Sequence, residues 1–324
     1  MPRQRPRPRS HPAAGRKPTA FERAWESARA PSEPRPTVSG RWLLKAIAIS
    51  IVVAAFCCWA ALCLLFWQGS WQLLYHPAAT IAHTPASAGI HFDPVAFAAT
   101  DTGLTRLTGW WISAEPASPF RQYTVLYLHG KDGDLGDTVD ALAALHAAGV
   151  NVLAFDYRGY GQSQFARPSE AHWRQDTEWA LQYLTGTRHI APGKIVLDGD
   201  GLGANLALEV AAAHPEFAGV ILRDPVPDAT RAIFSDARSR LVPARLLVRD
   251  RYDLDAPAGN LRIPSLWFYQ SAAPGSGRSD SEPAAYRKVA PRKMLVWLPA
   301  GPAEEKAFAD ALSRWLADLP NQIH

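Results

Sequence analysis

Cysteine is scarce in this sequence of 324 residues, and histidine is absent from a long C-terminal stretch. The three cysteines all lie in one apolar run near the N-terminus: Cys57, Cys58 and Cys63. The rest of the chain therefore has no disulfide, no thiol nucleophile and no thiolate ligand for a metal. No histidine occurs between His214 and His324, so the segment 215–323 contains no imidazole that could act as a general base.

Charge is absent from the 22 residues between Ala46 and Trp67. A helix of that length rises about 33 Å, enough to cross the ~30 Å hydrocarbon core of a bilayer. Residues 1–45 contain eleven Lys or Arg, three Glu and many Pro, a composition typical of disorder. We therefore expect a basic Pro/Arg-rich disordered tail (1–45), a transmembrane helix (46–67) and a folded domain (68–324).

The residues that flank the apolar run predict its orientation. After Lys45 the next Lys or Arg is Arg106, so the positive-inside rule places the tail in the cytoplasm. A cleavable signal peptide is the alternative, but its apolar core should be about 7–15 residues long, with a small-residue cleavage site soon after. High Ala and Arg content favours a bacterial inner membrane with a periplasmic domain. The tail is expected to meet anionic lipid, and no nucleic-acid partner is expected.

Beyond the apolar run, short apolar stretches alternate with segments of helical periodicity. Stretches such as TVLYL (124–128) and MLVWL (294–298) are typical of strands buried on both faces of a parallel sheet. The predicted strands are Gly109–Ser113, Thr124–His129, Asn151–Asp156, Lys194–Leu197, Gly219–Leu222, Ser265–Tyr269 and Met294–Leu298. The predicted helices are Thr138–Ala148, Ser169–Leu184, Leu202–Ala213 and Glu304–Ala317. This order predicts an α/β fold with a mostly parallel central sheet and helices on both faces.

Residues 225–263 interrupt this alternation and are expected to form a mostly helical cap beside the sheet. Basic and acidic residues are interleaved there, which predicts a solvated face with many ion pairs. The charged residues concerned are Arg238, Arg240, Arg245, Arg249 and Arg251, with Asp236, Asp250, Asp253 and Asp255.

The stretch IVLDGDGLGANLALE (195–209) has the outline of a strand, a tight turn and a helix. Many hydrolases place a nucleophilic serine in this outline, in the pattern G-x-S-x-G. Here the pattern is Gly199-Asp200-Gly201-Leu202-Gly203, so the glycines are present and the hydroxyl is absent. The acidic turn is a weak signal for a cation, and ordinary turn chemistry explains it better, so no metal and no cofactor are expected.

Three stretches together resemble the α/β-hydrolase superfamily: YLHGKDGDLGD (127–137), NVLAFDYRGYGQSQFARPSE (151–170) and the turn just described. Over about residues 70–318 the sequence is most similar to the membrane-anchored BEM46-like (ABHD13-like) serine hydrolases. The resemblance implies a Ser-His-Asp triad acting on esters, amides or related acyl substrates. Carried over position by position, the nucleophile falls on Gly201, the acid on Ala273 and the base near Ala303. The triad is therefore degenerate.

The resemblance also implies a pocket beside the turn. The loop of His129 and Gly130 is expected to supply a backbone N–H to an oxyanion hole, and the His129 imidazole is expected to be structural. Lys131 and the backbone of Leu202 are expected to line the same hole, beside Asp200. An anion-accepting notch could then persist without chemistry.

Three functional hypotheses follow. The first is a non-catalytic pseudohydrolase that holds a small acyl or anionic ligand, or docks an envelope protein, at the membrane. The second is an active hydrolase of esters or related acyl substrates that uses a non-standard site around Asp200, Asp198 or Asp224. Asp200 is a poor nucleophile candidate, because its own flanking positions are Asp198 and Leu202 and the glycines frame position 201. The third is an architectural subunit of an envelope complex. The fold alone does not decide among them.

Overall fold

The structure of the chain is a computed structural model that divides into two units, Met1–Cys58 and Trp59–His324. It describes residues 15, 17–29, 38–271, 280–290 and 292–319. Ala273 lies outside the described residues.

A short helix, α1 (Ala20–Arg29), lies within the stretch expected to be a disordered tail. Thr19 and Glu22 cap it reciprocally: the Thr19 N–H donates to Glu22 Oε2 at 2.8 Å, and the Glu22 N–H donates to Thr19 Oγ1 at 3.4 Å. The structure thus has a short helix within a stretch that the sequence analysis expects to be disordered, because the capping pair was not recognised.

The apolar run forms one long helix, α2 (Gly40–Gly69), which extends beyond the predicted bounds 46–67. The helix begins earlier because Arg41 and Lys45 are good helix formers that end the apolar run without ending the helix. Within the part of the chain that the structure describes, it is the one helix long and apolar enough to cross a membrane, with a mean hydropathy of 2.6 over an 18-residue window.

The second unit is built on an eight-stranded sheet. Its strands, with a two-stranded parallel pair formed by β1 and β5, are β1 (His76–Pro77), β2 (Asp93–Phe97), β3 (Leu107–Ile112), β4 (Thr124–Leu128), β5 (Asp132–Gly133), β6 (Asn151–Phe155), β7 (Ile195–Asp200), β8 (Gly219–Arg223), β9 (Ser265–Gln270) and β10 (Lys293–Leu298). The order across the large sheet is β10-β9-β8-β7-β4-β6-β3-β2, with β3 antiparallel to both of its neighbours and the other pairs parallel. The expected sheet is confirmed, with β2 as an edge strand that was not predicted.

Helices cover both faces of the sheet, as predicted. The helices after α2 are α3 (Val139–Ala148), α4 (Glu170–Gln182), α5 (Leu202–Ala213), α6 (Arg231–Ser235), α7 (Ala244–Leu247), α8 (Asp255–Asn260), α9 (Ala284–Lys288) and α10 (Ala303–Ala317). Strand β7 shows the two-sided burial: Ile195 and Leu197 join the core under α4 and α5, whereas Val196 joins the core under α3 and α10. The carboxyl ends of β7, β8 and β9 therefore meet at one edge, between the starts of α3, α5 and α10.

Candidate functional site

A strand–turn–helix elbow lies at this edge, where β7 runs into α5 through Gly201. The backbone of Gly201 has φ 55° and ψ −117°, a region that is costly for residues with a side chain. Its N–H donates to the Arg223 carbonyl oxygen at 2.9 Å, which ties the elbow to the end of β8. The fold thus presents position 201 at the tip of a sharp, strained turn.

The two outer glycines of the elbow are required by packing, and the central one is not. A Cβ at Gly199 would lie 2.2 Å from the Gly203 carbonyl oxygen, and one at Gly203 would lie 2.1 Å from the Leu128 carbonyl oxygen. A Cβ at Gly201 would meet no atom within 4 Å. The elbow therefore has open space for a nucleophile at its tip, although the sequence supplies none.

The loop after β4 lies against the elbow. A Cβ at Gly130 would lie 3.5 Å from the Asp200 carbonyl oxygen and 3.7 Å from Asp200 Oδ2. Leu202 is the first residue of α5, so its N–H has no acceptor within the helix. The Tyr160 hydroxyl fixes the loop by donating to the Lys131 carbonyl oxygen at 2.9 Å. Gly130 therefore lies against Asp200, two residues before the start of α5 at Leu202.

The Lys131 side chain is engaged elsewhere. Its ammonium group donates to Asp132 Oδ2 at 2.8 Å, and the same carboxylate accepts from His76 Nδ1 at 2.6 Å. The Asp200 carboxyl group lies beside the notch, where a hydrolase needs to stabilise a developing negative charge. In its ionised form, Asp200 would oppose an oxyanion at this place.

His129 is enclosed by the core. Its ring packs against Tyr157 and Tyr160, with centroids 4.5 and 5.1 Å away. Nδ1 lies 2.8 Å from the Gly130 carbonyl oxygen, and Nε2 lies 3.7 Å from Asp156 Oδ1. Burial lowers the pKa of His129 to about 4. The imidazole is therefore neutral at pH 7 and is directed at Gly130 and Asp156.

Asp156 completes this buried pair. Its Oδ1 accepts a hydrogen bond from the Leu135 N–H at 3.0 Å. Burial raises the pKa of Asp156 to about 7. Among the described residues, neither Asp156 Oδ2 nor His129 Nε2 has a hydrogen-bond partner. A protonated Asp156 facing a neutral imidazole avoids the cost of a buried charge.

Next to the elbow, on the face of α3 and α10, a cleft of about 740 Å³ opens at the carboxyl edge of the sheet. Its lining includes six residues with carboxyl groups: Asp137, Asp140, Asp200, Asp224, Glu304 and Glu305. Arg223 also lines it, but its guanidinium is bound to the buried Asp198, with Nε 3.0 Å from Oδ1. Burial raises the pKa of both Asp200 and Asp224. The cleft therefore has an excess of carboxyl groups over cationic side chains, and burial favours the neutral form of two of them.

The base position of the implied triad, near Ala303, lies next to residues that line this cleft. Ala303 is the exposed first residue of α10, followed directly by Glu304. Gln270, the last residue of β9, donates through Nε2 to Glu304 Oε1 at 2.5 Å and through its N–H to Asp224 Oδ1 at 3.0 Å. Asp224 adopts a positive φ of 44°. The described side chains here are carboxylates and an amide, and none is an imidazole.

Sequence reasoning missed the Arg223–Asp198 pair and the acidic lining from α3. One partial signal was available: Asp200 and Arg223 follow the predicted strands Lys194–Leu197 and Gly219–Leu222, and residues that follow parallel strands lie at the same edge of the sheet. In the described ranges, no group of three or more His, Cys, Asp or Glu is arranged to hold a metal ion.

The order of the sheet strands and the elbow between β7 and α5 define an α/β-hydrolase fold. Solved structures agree: the esterase Pf2001 of Pyrococcus furiosus matches 76% of this chain and 98% of its own chain, with a TM-score of 0.56 and 16% identity. Another α/β hydrolase, GrgF from a Penicillium species, covers 70% of this chain and 100% of its own, with a TM-score of 0.51 and 19% identity. At such identities the likeness shows the fold alone.

Sequence comparisons identify relatives of this chain. Residues 121–260 match the family described as serine aminopeptidase, S33. The uncharacterized protein YfhR of Salmonella typhi is 30% identical over 227 residues, covering 67% of this chain and 75% of YfhR. Human alpha/beta hydrolase domain-containing protein 17C is 33% identical over 122 residues, which cover 37% of this chain and 36% of that protein. The chain belongs to the α/β-hydrolase family, as a relative of YfhR.

Proposed function

We propose that this chain is a membrane-anchored, BEM46-like pseudohydrolase, a protein that binds a ligand or partner on a hydrolase scaffold without hydrolysing it. The observation that carries the proposal is Gly201, which occupies the nucleophile position of an otherwise complete elbow. Triad chemistry needs a hydroxyl at that tip and an imidazole to accept its proton. Neither is present at the positions assigned by the resemblance.

The surroundings of the elbow support the same proposal. His129 is held in the core by Gly130 and Asp156. The Asp200 carboxylate beside the notch disfavours the tetrahedral oxyanion of acyl transfer. The proposed acid position, Ala273, and base position, near Ala303, carry methyl groups. Three separate requirements of acyl transfer therefore lack their chemical groups.

The cleft is the proposed ligand site. Phe268, Leu298 and Phe308 offer apolar contacts, while the carboxylates around them repel anions. An anionic ligand, one of the expectations from sequence, is thus disfavoured. We propose a small ligand with an acyl or alkyl part and a neutral or cationic polar group. Medium-chain alkylamines should raise the melting temperature of the full chain, and alkanoates of equal length should not.

The anchor proposal is that α2 crosses a membrane with the N-terminal tail in the cytoplasm. A bacterial inner membrane with the hydrolase-fold unit in the periplasm fits the charge bias around the helix. An envelope protein is a proposed partner in that compartment, and an architectural role in an envelope complex would use the same scaffold. Protease protection of the hydrolase-fold unit in sealed spheroplasts, but not in inverted vesicles, would contradict this orientation.

Esterase activity tests the central proposal. The purified full chain is assayed on short- and medium-chain p-nitrophenyl esters beside Asp200→Ala and Asp140→Ala, two variants that each remove one carboxylate from the cleft. We expect the wild type and both variants to show equal, background hydrolysis. Turnover above background in all three proteins would contradict the proposal without supporting a role for Asp200.

One observation favours a second candidate, an active hydrolase at a non-standard site. Asp200 lies between the Gly130 loop and the cleft, and burial raises its pKa, which suits a general acid or base. In that case the wild type and Asp140→Ala would hydrolyse esters, and Asp200→Ala would not. The same assay therefore separates the two candidates.

A further inference from the structure

Apolar and basic side chains share one surface between β8 and β9. We name residues 231–249 the cap segment; it includes α6 and α7 and contains five arginines and one aspartate. The arginines are all exposed: Arg231, Arg238, Arg240, Arg245 and Arg249. Leu241 and Leu246 are also exposed, at 62% and 82%. Exposed leucines among arginines are typical of elements that lie in a membrane interface.

The arginines of the cap segment are mostly not neutralised by neighbouring carboxylates, contrary to the expectation of an ion-paired face. Among the described residues, the segment forms one ion pair, in which Arg238 Nε lies 2.8 Å from Asp236 Oδ1. The nearby acids have other partners: Asp250 accepts from the Tyr75 hydroxyl at 2.9 Å, and Asp255 binds Lys288 at 2.8 Å. The remaining arginines therefore present an excess of positive charge to whatever covers this surface.

The end of α2 fixes the position of the cap segment. The Trp59 indole N–H donates to the Leu241 carbonyl oxygen at 3.1 Å. Trp59 precedes Trp67, the last residue of the charge-free run, by eight positions, which is about 12 Å along a helix. Phe66 is buried in the core of the same unit, so this end of the helix is packed and not merely tethered.

These contacts imply how deep Leu241 lies relative to the bilayer surface. If α2 crosses the bilayer and Trp67 lies at its surface, Leu241 lies below that surface by at most about 12 Å. Interfacial amphipathic elements bury their apolar side about 5–10 Å into the boundary between headgroups and acyl chains. The position set by Trp59 is compatible with that range.

An apolar crevice continues this surface. It has a volume of about 240 Å³ and lies between the end of α2 and the cap segment. Leu62, Leu65 and Leu73 line it from one side, and Leu241 and Val242 from the other. In water this crevice would expose apolar surface, whereas lipid acyl chains would fill it without that cost.

We infer that the cap segment lies in the membrane interface of the leaflet where α2 ends, with its leucines among acyl chains and its arginines against anionic headgroups. This inference rests on the proposed anchor. The partner is the lipid surface itself, selected by positive charge next to exposed leucine and by the contact of Leu241 with Trp59. The hydrolase-fold unit is then docked on the bilayer and does not hang free from its anchor.

Depth-dependent fluorescence quenching tests the inference on the full chain. In a background in which the three cysteines are alanine, an environment-sensitive fluorophore is attached to Leu246→Cys, His91→Cys or Val52→Cys. His91 is the matched control, because it is exposed and precedes β2 at the opposite, amino edge of the sheet. Val52, within the apolar run, reports on the anchor. Nanodiscs contain phosphatidylcholine and phosphatidylglycerol with spin-labelled lipids as quenchers.

We expect quenching at position 246 to be severalfold stronger than at position 91. Arg240→Gln with Arg249→Gln should weaken it, by about fivefold in the contact equilibrium per arginine removed, and Arg262→Gln with Arg314→Gln should not. Equal quenching at 246 and 91, with strong quenching at 52, would overturn the inference and leave the anchor standing. Absence of quenching at 52 as well would overturn the anchor and the inference together.

Discussion

The two halves of the candidate site differ in how closely they match a hydrolase site. The elbow half, from β7 through Gly201 to α5 with the Gly130 loop beside it, has the complete backbone geometry of a nucleophile turn. The other half, at the ends of β8 and β9 and the start of α10, carries carboxylates and an amide around a wide cleft. The elbow is held by backbone packing that the fold itself needs, so its geometry does not depend on a side chain at position 201. In the other half, the identity of the side chains is not fixed by backbone packing in this way.

The largest effect is expected at the junction of the two halves, the buried pair of Arg223 and Asp198. Arg223→Met should lower the free energy of unfolding by about 3–5 kcal/mol, because it leaves the buried Asp198 carboxylate without its cation. Chemical denaturation of the full chain in detergent measures this loss. Arg262→Gln, at an exposed position, should cost almost nothing.

A double variant sharpens that result. Replacing both partners, Arg223→Met with Asp198→Leu, should recover much of the lost stability, because an apolar pair of similar volume avoids the buried charge. If the double variant is less stable than Arg223→Met alone, the Asp198 carboxylate is stabilised by something other than Arg223, and the electrostatic account of this junction fails.

The second prediction concerns the pH dependence of folding stability that arises from the buried pair of His129 and Asp156. Burial raises the pKa of Asp156 to about 7 and lowers that of His129 to about 4. As the pH falls from 7 to 4, the folded protein protonates Asp156 before the unfolded chain does, which adds stability. Over the same range His129 stays neutral in the folded protein while the unfolded chain protonates it, which removes stability. The two contributions should therefore largely cancel in the wild type.

Asp156→Asn removes the stabilising contribution of Asp156 at low pH and leaves the destabilising contribution of His129. Relative to the wild type, the variant should lose about 4 kcal/mol of unfolding free energy between pH 7 and pH 4, from a shift of roughly three pKa units. The asparagine carbonyl can still accept from the Leu135 N–H, so the fold at pH 7 should persist. Parallel stability curves for the two proteins would show that the Asp156 proton is not coupled to folding.

The third prediction separates the glycines of the elbow. Gly203→Ala should destabilise the fold by about 3 kcal/mol or more, because its Cβ would overlap the backbone at Leu128 and His129, which cannot move easily. Gly201→Ala has open space and should cost less, about 1–2 kcal/mol of backbone strain. Thermal unfolding in detergent ranks the two variants. The reverse ranking would mean that the elbow is not packed as described.

Sequence reasoning identified most of the sheet because its inner strands are apolar on both faces. Strand β4 (TVLYL) is buried along its full length, as a short apolar run rich in β-branched and aromatic residues predicts. It missed β2 (DPVAF), an edge strand with a proline and little burial, whose pairing depends on β3 and not on its own composition. It also missed α1, where two capping side chains act locally.

The candidate site was predictable only where backbone geometry determines it. The spacing of Gly199, Gly201 and Gly203 predicts the elbow. Gly199 and Gly203 leave no room for a Cβ, and Gly201 adopts a positive φ that favours glycine. The acidic cleft depends on which strands are neighbours and on their register: Asp200 pairs with Arg223 across β7 and β8. Local periodicity does not give the register between distant strands, so the sequence indicates at most that Asp200 and Arg223 share an edge, and the extent of the cleft is seen only in the folded structure.

The smallest effect on stability, and the most direct test of the comparison, is expected from Gly201→Ser. The side chain enters open space, so the variant should fold with a loss of about 1–2 kcal/mol from strain alone. It should hydrolyse no p-nitrophenyl ester above background, because restoring the hydroxyl to the elbow half supplies no imidazole from the other half. Adding Ala303→His and Ala273→Asp is the matched gain-of-function control. Esterase activity in Gly201→Ser alone would show that the acidic half can still activate a nucleophile, and that the two halves differ less than their residues imply.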